Sequence, residues 1–302
     1  MEQTGLQKRS AKDSTSIQLD HFRQSLVEAF KVIQRNRLAT LGLFIVCATC
    51  LTAVFAPRLS PYDPVQMNLS DRLLGPSWEH FLGTDIYGRD IYTRIVYGSR
   101  IAMHVALGAV LLAAIIGIPL GAVSAYAGGW VDTITMRFID AFLAFPGRLL
   151  AIALVAAMGP TFFTLYLAIG MTSFPGYARV LRGSVLSQKE KEYVEAARMT
   201  GEPGWRILFF QVLPNCIAPI LVLVSLDFAH AILVESSLSF LGLGLPPPAP
   251  SWGLMLNEAR GYMELAPHVA IFPGLVISIT ILGFNLLGDG LRDVFDPRQY
   301  ES

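Results

Sequence analysis

The sequence has few charged residues, and this scarcity limits the class of protein that it can encode. Only 15% of its 302 residues are charged, whereas 53% are hydrophobic. A typical soluble domain carries about 25% charged residues. The formal net charge is zero, so no overall field favours nucleic acid as a partner. The composition therefore indicates a membrane protein whose surroundings are the lipid bilayer.

Motifs for catalysis, nucleotide binding and metal binding are also missing. No Gly-Lys dipeptide occurs, so the chain has no Walker loop to hold the phosphates of ATP. The spacings H-E-x-x-H and G-x-S-x-G are absent, and the five histidines are scattered. Cys47, Cys50 and Cys216 lie in or beside apolar runs, where we expect packing rather than disulfide or redox chemistry. These absences predict a non-catalytic chain without a cofactor or metal.

Long apolar runs are what the sequence does have. A membrane-spanning helix needs about 20 mainly apolar residues. Gly159-Pro160 interrupts an uncharged run of 30 residues, 149–178, and predicts a tight turn there. The fold class predicted is an all-α polytopic membrane protein with six transmembrane helices, near residues 38–56, 102–126, 138–158, 160–177, 214–235 and 268–288.

The distribution of Lys and Arg predicts the orientation of these helices. Basic residues concentrate before the first span and between residues 179 and 206, which six spans place on one side. The positive-inside rule therefore predicts that both termini are cytoplasmic. The first apolar run follows 37 mainly polar residues and is too long for a cleavable signal, so it is predicted to be an anchor. The predicted parts are a cytoplasmic segment 1–37, a first span with an external interfacial segment 38–100, a transmembrane core 101–291 with a cytoplasmic loop 179–213, and a cytoplasmic tail 292–302.

The cytoplasmic loop 179–213 carries the signals of a short helix. Ser187 and Glu190 have the spacing of a capping box and predict that a helix starts there. Gly201 can take the left-handed conformation that ends a helix, and Pro203 prevents continuation. The physics alone leaves two interpretations open, an ordinary loop helix or a docking surface for another protein.

The same loop resembles the E-A-A loop of ABC importer permeases. Glu195-Ala196-Ala197 is followed by Gly201 and then by Val212-Leu213-Pro214. Gln211 departs from the aliphatic residue usual two places before Leu213, and Val212 supplies that character instead. The resemblance implies a coupling helix that docks on an ATPase subunit, with contacts expected at Glu190, Tyr193, Glu195, Ala196, Ala197 and Gly201.

Two further stretches resemble the dipeptide, oligopeptide and nickel permeases, in particular their second-subunit type. The first is the external motif, which comprises Gly83, Thr84, Asp85, Gly88, Arg89 and Asp90. The second begins at residues 237–244, continues at Ser251-Trp252-Gly253 and ends at residues 284–293. The resemblance covers nearly all of residues 35–297 and implies the fold of type I ABC importer permeases.

The external motif has two open interpretations. Thr84 or Asp85 can cap a helix whose Ile91, Ile95 and Val96 share one face. The motif then contacts a solute-binding protein or gates the pore, or else it braces the outer membrane surface.

Ionisable residues within the predicted spans are the other candidates. Asp227, His230 and Glu235 lie on or near the fifth span, and Arg148 lies beside Pro146 in the third. Such residues normally face protein or a water-filled cavity. Asp227, His230 and Arg148 either line a translocation path or are satisfied by neighbouring helices.

The resemblance implies import of peptides across the bacterial plasma (inner) membrane. Its implied partners are a similar but distinct permease, two ATP-binding subunits and an extracytoplasmic solute-binding protein. Nickel, a metal chelate, glutathione or an opine are alternative solutes. Two other classes stay open: a secondary transporter, for which broken helices or paired buried acids would be expected but none is evident in the sequence, and an intramembrane enzyme using Asp227 with His230.

Overall fold

Long helices dominate the part of the chain that the structure, a computed structural model, describes, which is residues 36–295. Within these residues no strand forms, and a single isolated bridge joins Thr84 to Asp90. The helices of this region are α1 (Arg37–Leu59), α2 (Ile91–Ala127), α3 (Gly129–Leu143), α4 (Gly147–Met158), α5 (Phe162–Lys189), α6 (Glu192–Met199), α7 (Gly204–Ile207), α8 (Ile217–Phe240), α9 (Trp252–Ala259) and α10 (His268–Phe295).

Four of the described helical segments are long and apolar enough to cross a membrane: α1, α2, the continuous stretch Gly204–Phe240 and α10. The predicted spans 38–56, 102–126, 214–235 and 268–288 lie within them and are confirmed. The hydrophobic signal worked here because each stretch is apolar around its whole circumference, which lipid requires of most faces.

The predicted third span, 138–158, is wrong as a single helix. Helices α3 and α4 meet at 80° across a short break, and the pair passes the length and apolarity test only together. Pro146 stands at the break and immediately precedes α4. Proline lacks a backbone N–H and disfavours helical geometry in the residue before it, so the chain bends there. The turn expected at Gly159-Pro160 is confirmed, since Gly159 ends α4 and Thr161 caps α5.

Helix α5 contains most of the predicted fourth span, 160–177, and continues beyond it to Lys189. It is not among the helices that pass the apolarity test on their own. Instead it runs parallel to α2, with Tyr166 against Gly108 and Ala178 against Gly121. The uncharged run of α5 ends before Arg179, which pairs with Asp140 of α3, and the helix continues beyond it to Lys189.

Glycines set the distance between α2 and α5. A Cβ atom added at Gly121 would lie 2.3 Å from the carbonyl oxygen of Ala178, and one at Gly117 would lie 2.5 Å from that of Phe174. Both obstacles are backbone atoms that cannot rotate away. Small residues at such contacts let transmembrane helices approach closely, so the two helices form the most extensive contact of the described fold.

We expect Gly121→Leu to destabilise the chain by at least about 1–3 kcal/mol, because the new side chain must push backbone away from backbone. Gly183→Leu on α5 is the matched control, since a Cβ atom there meets nothing within 4 Å. The thermal unfolding midpoints of the two purified variants in detergent measure the difference. Equal midpoints would show that the α2–α5 contact is not tight.

Helix α1 packs against α10 through a second set of glycines. A Cβ atom at Gly42 would lie 2.6 Å from the backbone nitrogen of Leu287, and one at Gly283 would lie 2.5 Å from Ile45. The two helices are antiparallel and close at this level.

All three cysteines are free, and Cys216 is buried as expected, whereas Cys47 lies on an exposed face of α1, so the packing role predicted for it is wrong.

The helix that follows the loop predicted to be cytoplasmic is not regular. Between α7 and α8, a π-helical turn covers Leu208–Val212 and a 3-10 turn covers Leu213–Cys216. Pro214 lies in the 3-10 turn, where it has no N–H to give to an α-helical ladder. Such irregular turns commonly mark a hinge or a functional site.

Candidate functional site

The candidate site in the loop predicted to be cytoplasmic is helix α6, which lies between α5 and α7. Val194 and Ala197 point inward and are buried, whereas Glu195 and Ala196 are exposed. The two alanines of the motif therefore have different surroundings, one in the core and one facing outward. An exposed face of this kind, carrying a carboxylate beside a small residue, leaves room for another protein to approach closely.

The end of α6 is as predicted, but its start is not. Gly201 has φ +78°, and the amide of Glu202 donates to the carbonyl of Ala197, which closes the helix. The predicted capping box at Ser187 is wrong, because α5 continues through Ser187 to Lys189. The Lys189 ammonium donates to the carbonyl of Tyr126 at 2.8 Å and holds this last turn of α5 on the end of α2.

Polar contacts join α6 to the irregular turns after it. The Tyr193 hydroxyl donates to Gln188 at 3.0 Å and accepts from Asn215 at 3.4 Å. Partial burial raises the pKa of Tyr193, so the phenol stays protonated and able to donate. Gln211, the residue that departs from the E-A-A pattern, donates to Glu202 at 2.6 Å. A displacement of α6 and of the Glu202 that follows it would therefore be transmitted through these hydrogen bonds to the irregular turns.

The external motif is buried rather than displayed. Gly88 has φ +72°, and a Cβ atom there would lie 1.7 Å from the carbonyl oxygen of Asn68, so only glycine fits. The predicted cap is wrong: Asp90, not Thr84 or Asp85, accepts from the amide of Thr93 at 2.7 Å and starts α2. Thr84 instead donates to Asp71 and accepts from Leu74. Ile91, Ile95 and Val96 are buried as expected.

Two arginines and two carboxylates form a buried group, here called the ion quartet, of Asp85, Arg89, Arg94 and Glu258. Arg89 donates to Asp85 and to Glu258, each at 2.6 Å. Arg94 is more distant, at 3.6 Å from Asp85 and 3.5 Å from Glu258, and two of its nitrogens lack a good hydrogen bond. The quartet joins the external motif to α9 and favours the interpretation of the motif as a brace.

The membrane-depth candidates lie on α8. Asp227 is buried and accepts hydrogen bonds from Ser173 at 2.7 Å and from Tyr177 at 3.2 Å, both on α5. His230 lies 3.5 Å from the same carboxylate, and 46% of its side chain is exposed. Asp227 and His230 are therefore brought together, with the carboxylate held by α5 and the imidazole facing outward from the bundle.

Arg148 and Glu235 do not join this pair. Arg148 is exposed at the start of α4 and makes no ion pair or hydrogen bond with the described residues. Its neighbour Gly147 lies against Thr172, which precedes the Asp227 partner Ser173. Glu235 is buried and accepts from Ser239 at 2.7 Å.

Sequence reasoning missed Ser173, Tyr177 and Glu258. Ser173 and Tyr177 were visible only as polar residues in an otherwise apolar run. Glu258 lies 169 residues from Arg89, a separation at which no spacing rule pairs them.

Models of two protein families match the chain. The family described as "Binding-protein-dependent transport system inner membrane component" matches residues 117–300. The family described as "N-terminal TM domain of oligopeptide transport permease C" matches residues 26–76.

Curated relatives match over most of their length. The chain is 46% identical to the dipeptide transport system permease protein DppC of Alkalihalophilus pseudofirmus, over 90% of this chain and 89% of that protein. It is 46% identical to the glutathione transport system permease protein GsiD of Pectobacterium atrosepticum, over 89% of each. Among solved structures, the inward-facing methionine ABC transporter MetNI matches 68% of this chain and 98% of its own with a TM-score of 0.57, at 14% identity, which speaks for the fold alone.

Proposed function

The chain belongs to the family of binding-protein-dependent transport system inner membrane components, and from this we propose that it is the permease subunit of an ABC importer for peptides. The observation that carries the proposal is the relatedness over nine-tenths of the chain to a dipeptide permease. The 46% identical glutathione permease supports a peptide solute as well, since glutathione is itself a short peptide. The predicted all-α membrane fold of ABC importer permeases is confirmed.

The chain is expected to be non-catalytic and to work with other subunits. A similar but distinct permease would complete the pathway, two ATP-binding subunits would supply the energy, and an extracytoplasmic binding protein would deliver the solute. Family membership supports this assembly. Contact with the ATP-binding subunit is assigned to Glu190, Tyr193, Glu195, Ala196, Ala197 and Gly201, of which Glu195 and Ala196 lie on the exposed face of α6.

The multi-pass chain is proposed to lie in the bacterial inner membrane with both termini cytoplasmic. Six crossings follow if α3 and α4 form one bent span and if α5 crosses beside α2, to which it is parallel. This leaves α6 on the same side as the start of α1. The proposed division is the segment 1–37, the part 38–100, the core 101–291 and the tail 292–302, and the two end segments lie largely or wholly outside the described residues.

Asp227, His230 and Arg148 are proposed to line the path for the solute. A half-exposed imidazole and an unpaired guanidinium on membrane helices are costly where they meet lipid, so they favour a water-filled surface. The break between α3 and α4 supports this, because non-helical backbone at membrane depth is tolerated where it lines a cavity. A broken helix was also the feature expected of a secondary transporter, so the test must separate the two classes.

The test is co-purification of the tagged chain in detergent, identification of the proteins that accompany it, and reconstitution into lipid vesicles. We expect a second permease and an ATP-binding subunit in the preparation, and uptake of a labelled dipeptide that requires ATP and the binding protein. A chain that purifies alone and moves solute without ATP would instead be a secondary transporter.

Asp227→Asn tests the path at a single residue. Ser173 and Tyr177 donate to different oxygens of the Asp227 carboxylate, so Asn keeps one acceptor, replaces the other oxygen with an NH2 group and removes the charge. We expect uptake of a dipeptide to fall about tenfold, because a hydrogen bond to a charged group is stronger than a neutral one by about 1 kcal/mol or more. Ser225→Ala on the same helix, whose hydroxyl bonds only to its own backbone, is the control. Uptake by the Asn variant at the wild-type rate would show that transport does not need the charge of Asp227, and that the residue serves packing alone.

A further inference from the structure

A crevice opens to the membrane between α1, α2 and α10. Its volume is about 360 Å³, which lies in the range of small-molecule sites. The walls come from α1 and α10, and the floor consists of buried residues, among them Val96, Ser99 and Trp252. No residue of the proposed solute path lines it.

The crevice has a depth that matches one leaflet. On α1 it reaches from Leu59 at the outer end of the helix to Phe44, about 22 Å at 1.5 Å per residue. One leaflet of a bilayer, with its hydrocarbon and headgroup regions together, is about 20–22 Å thick. At the inner end Ile45 lies against Gly283, and beyond Phe44 the tight contact of Gly42 with Leu287 of α10 closes the groove. The helices therefore diverge only through the outer leaflet and leave a blind groove there.

The polar atoms inside the crevice are already satisfied. The hydroxyls of Thr49, Thr52 and Ser99 each donate to a carbonyl of their own helix, at 3.0, 2.8 and 2.6 Å. The indole nitrogen of Trp252 donates to the carbonyl of Ile95 at 2.9 Å. A peptide would find no donor here, and burying its polar groups without partners would be costly. A hydrocarbon chain needs no such partner.

The outer rim, in contrast, offers groups for a phosphate. Arg58 is exposed in the last turn of α1, next to Leu59, and forms no ion pair with the described residues. Tyr92 lines the mouth, and no described residue hydrogen-bonds to its hydroxyl. Tyrosine and arginine are the residues that anchor proteins at the headgroup level of a membrane.

We infer that the crevice binds one acyl chain of an outer-leaflet phospholipid, whose phosphate lies at Arg58 and Tyr92. A helix of a second permease fits less well, because about 15 Å of a helix about 10 Å wide occupies more than about 1,000 Å³. The site is independent of which solute the protein carries. A lipid bound there would fill the gap between α1 and the rest of the bundle.

The experiment compares Thr49→Trp, which fills the crevice, with Leu51→Trp, which places the same side chain on the exposed face of α1. The complex is purified from vesicles of phosphatidylethanolamine and phosphatidylglycerol, and the phospholipid that remains after detergent exchange is counted by mass spectrometry. We expect the Thr49 variant to retain one phospholipid fewer per complex than the wild type, and the Leu51 variant to retain as many. Equal retention by all three would overturn the inference.

A second measurement needs no change to the crevice. In vesicles of phosphatidylcholine brominated midway along one acyl chain, bromine quenches a nearby indole. Comparison of the wild-type complex with Trp252→Phe isolates the fluorescence of Trp252. We expect that component to be quenched by at least half, although the indole is almost completely buried by protein. An unquenched Trp252, or a side chain of the partner permease found in the crevice, would contradict a lipid occupant.

Discussion

Arg89→Met is expected to lower the free energy of unfolding by about 3–5 kcal/mol, the range for breaking a buried ion pair. The Arg89 side chain is 1% exposed and donates to both carboxylates of the ion quartet. Without it, Asp85 and Glu258 share only Arg94, whose nitrogens lie 3.5 Å or more from them. Two carboxylates that are each only 11% exposed then lie close together with half of the compensating charge removed.

The control is Arg179→Met, which breaks the pair between Arg179 and Asp140. Both of these side chains are about half exposed, and exposed pairs contribute about 0–1 kcal/mol. The thermal unfolding midpoints of the purified variants give the comparison. Adding Glu258→Met to Arg89→Met should recover part of the loss, because it removes one of the stranded carboxylates. If Arg89→Met and Arg179→Met have the same unfolding midpoint, the ion quartet does not stabilise the external motif.

Glu195→Lys should abolish coupling to the ATP-binding subunit while leaving the chain itself folded. Glu195 is exposed and forms no ion pair with the described residues, and Val194 and Ala197 on the inner face of α6 still pack. Within the chain the change costs at most about 1 kcal/mol through the helix dipole. At a docked surface, loss of a charge contact costs about 2–5 kcal/mol. We expect the amount of co-purified ATP-binding subunit and the ATP-driven uptake both to fall more than tenfold.

Glu264→Lys makes the same change of charge on an exposed residue between α9 and α10, which the proposed topology puts on the side of the membrane opposite α6. Uptake within twofold of the wild type is expected there. The experiment also separates folding from docking, because the unfolding midpoint of the isolated Glu195→Lys chain should stay close to that of the wild type. Normal uptake by Glu195→Lys would remove α6 from the contact with the ATP-binding subunit.

Uncharged runs predicted where the spans lie, but neither how far a helix continues beyond its span nor where a span bends. Helix α5 carries Arg179 and Arg182 in its second half, so its uncharged run ends well before the helix does. Its contact with α2, where Gly117 and Gly121 fit against the backbone of α5, is a three-dimensional relation that no spacing rule gives. The 80° bend at Pro146 was hidden because proline also occurs inside transmembrane helices that stay continuous, as Pro119 does in α2.

The sites show the same division between local and distant signals. The end of α6 at Gly201 was predictable, because a left-handed glycine followed by proline is a local signal. The start of α2 was wrongly assigned, because Thr84, Asp85 and Asp90 are all possible caps and only tertiary contacts decide among them. Asp85 is used in the turn that it forms with Arg89, and this leaves Asp90 for the helix. The partners of Asp227 come from another helix and had no signal in sequence spacing.

The parallel contact between α2 and α5 has a consequence for how the chain enters the bilayer during synthesis. The part of α5 that lies along α2 carries small polar residues, Thr164, Thr172 and Ser173, and α5 is not among the helices that pass the apolarity test on their own. The glycine-lined face of α2 covers one side of α5, and α2 is synthesised first. We therefore expect α5 to enter the bilayer beside an α2 that is already in place.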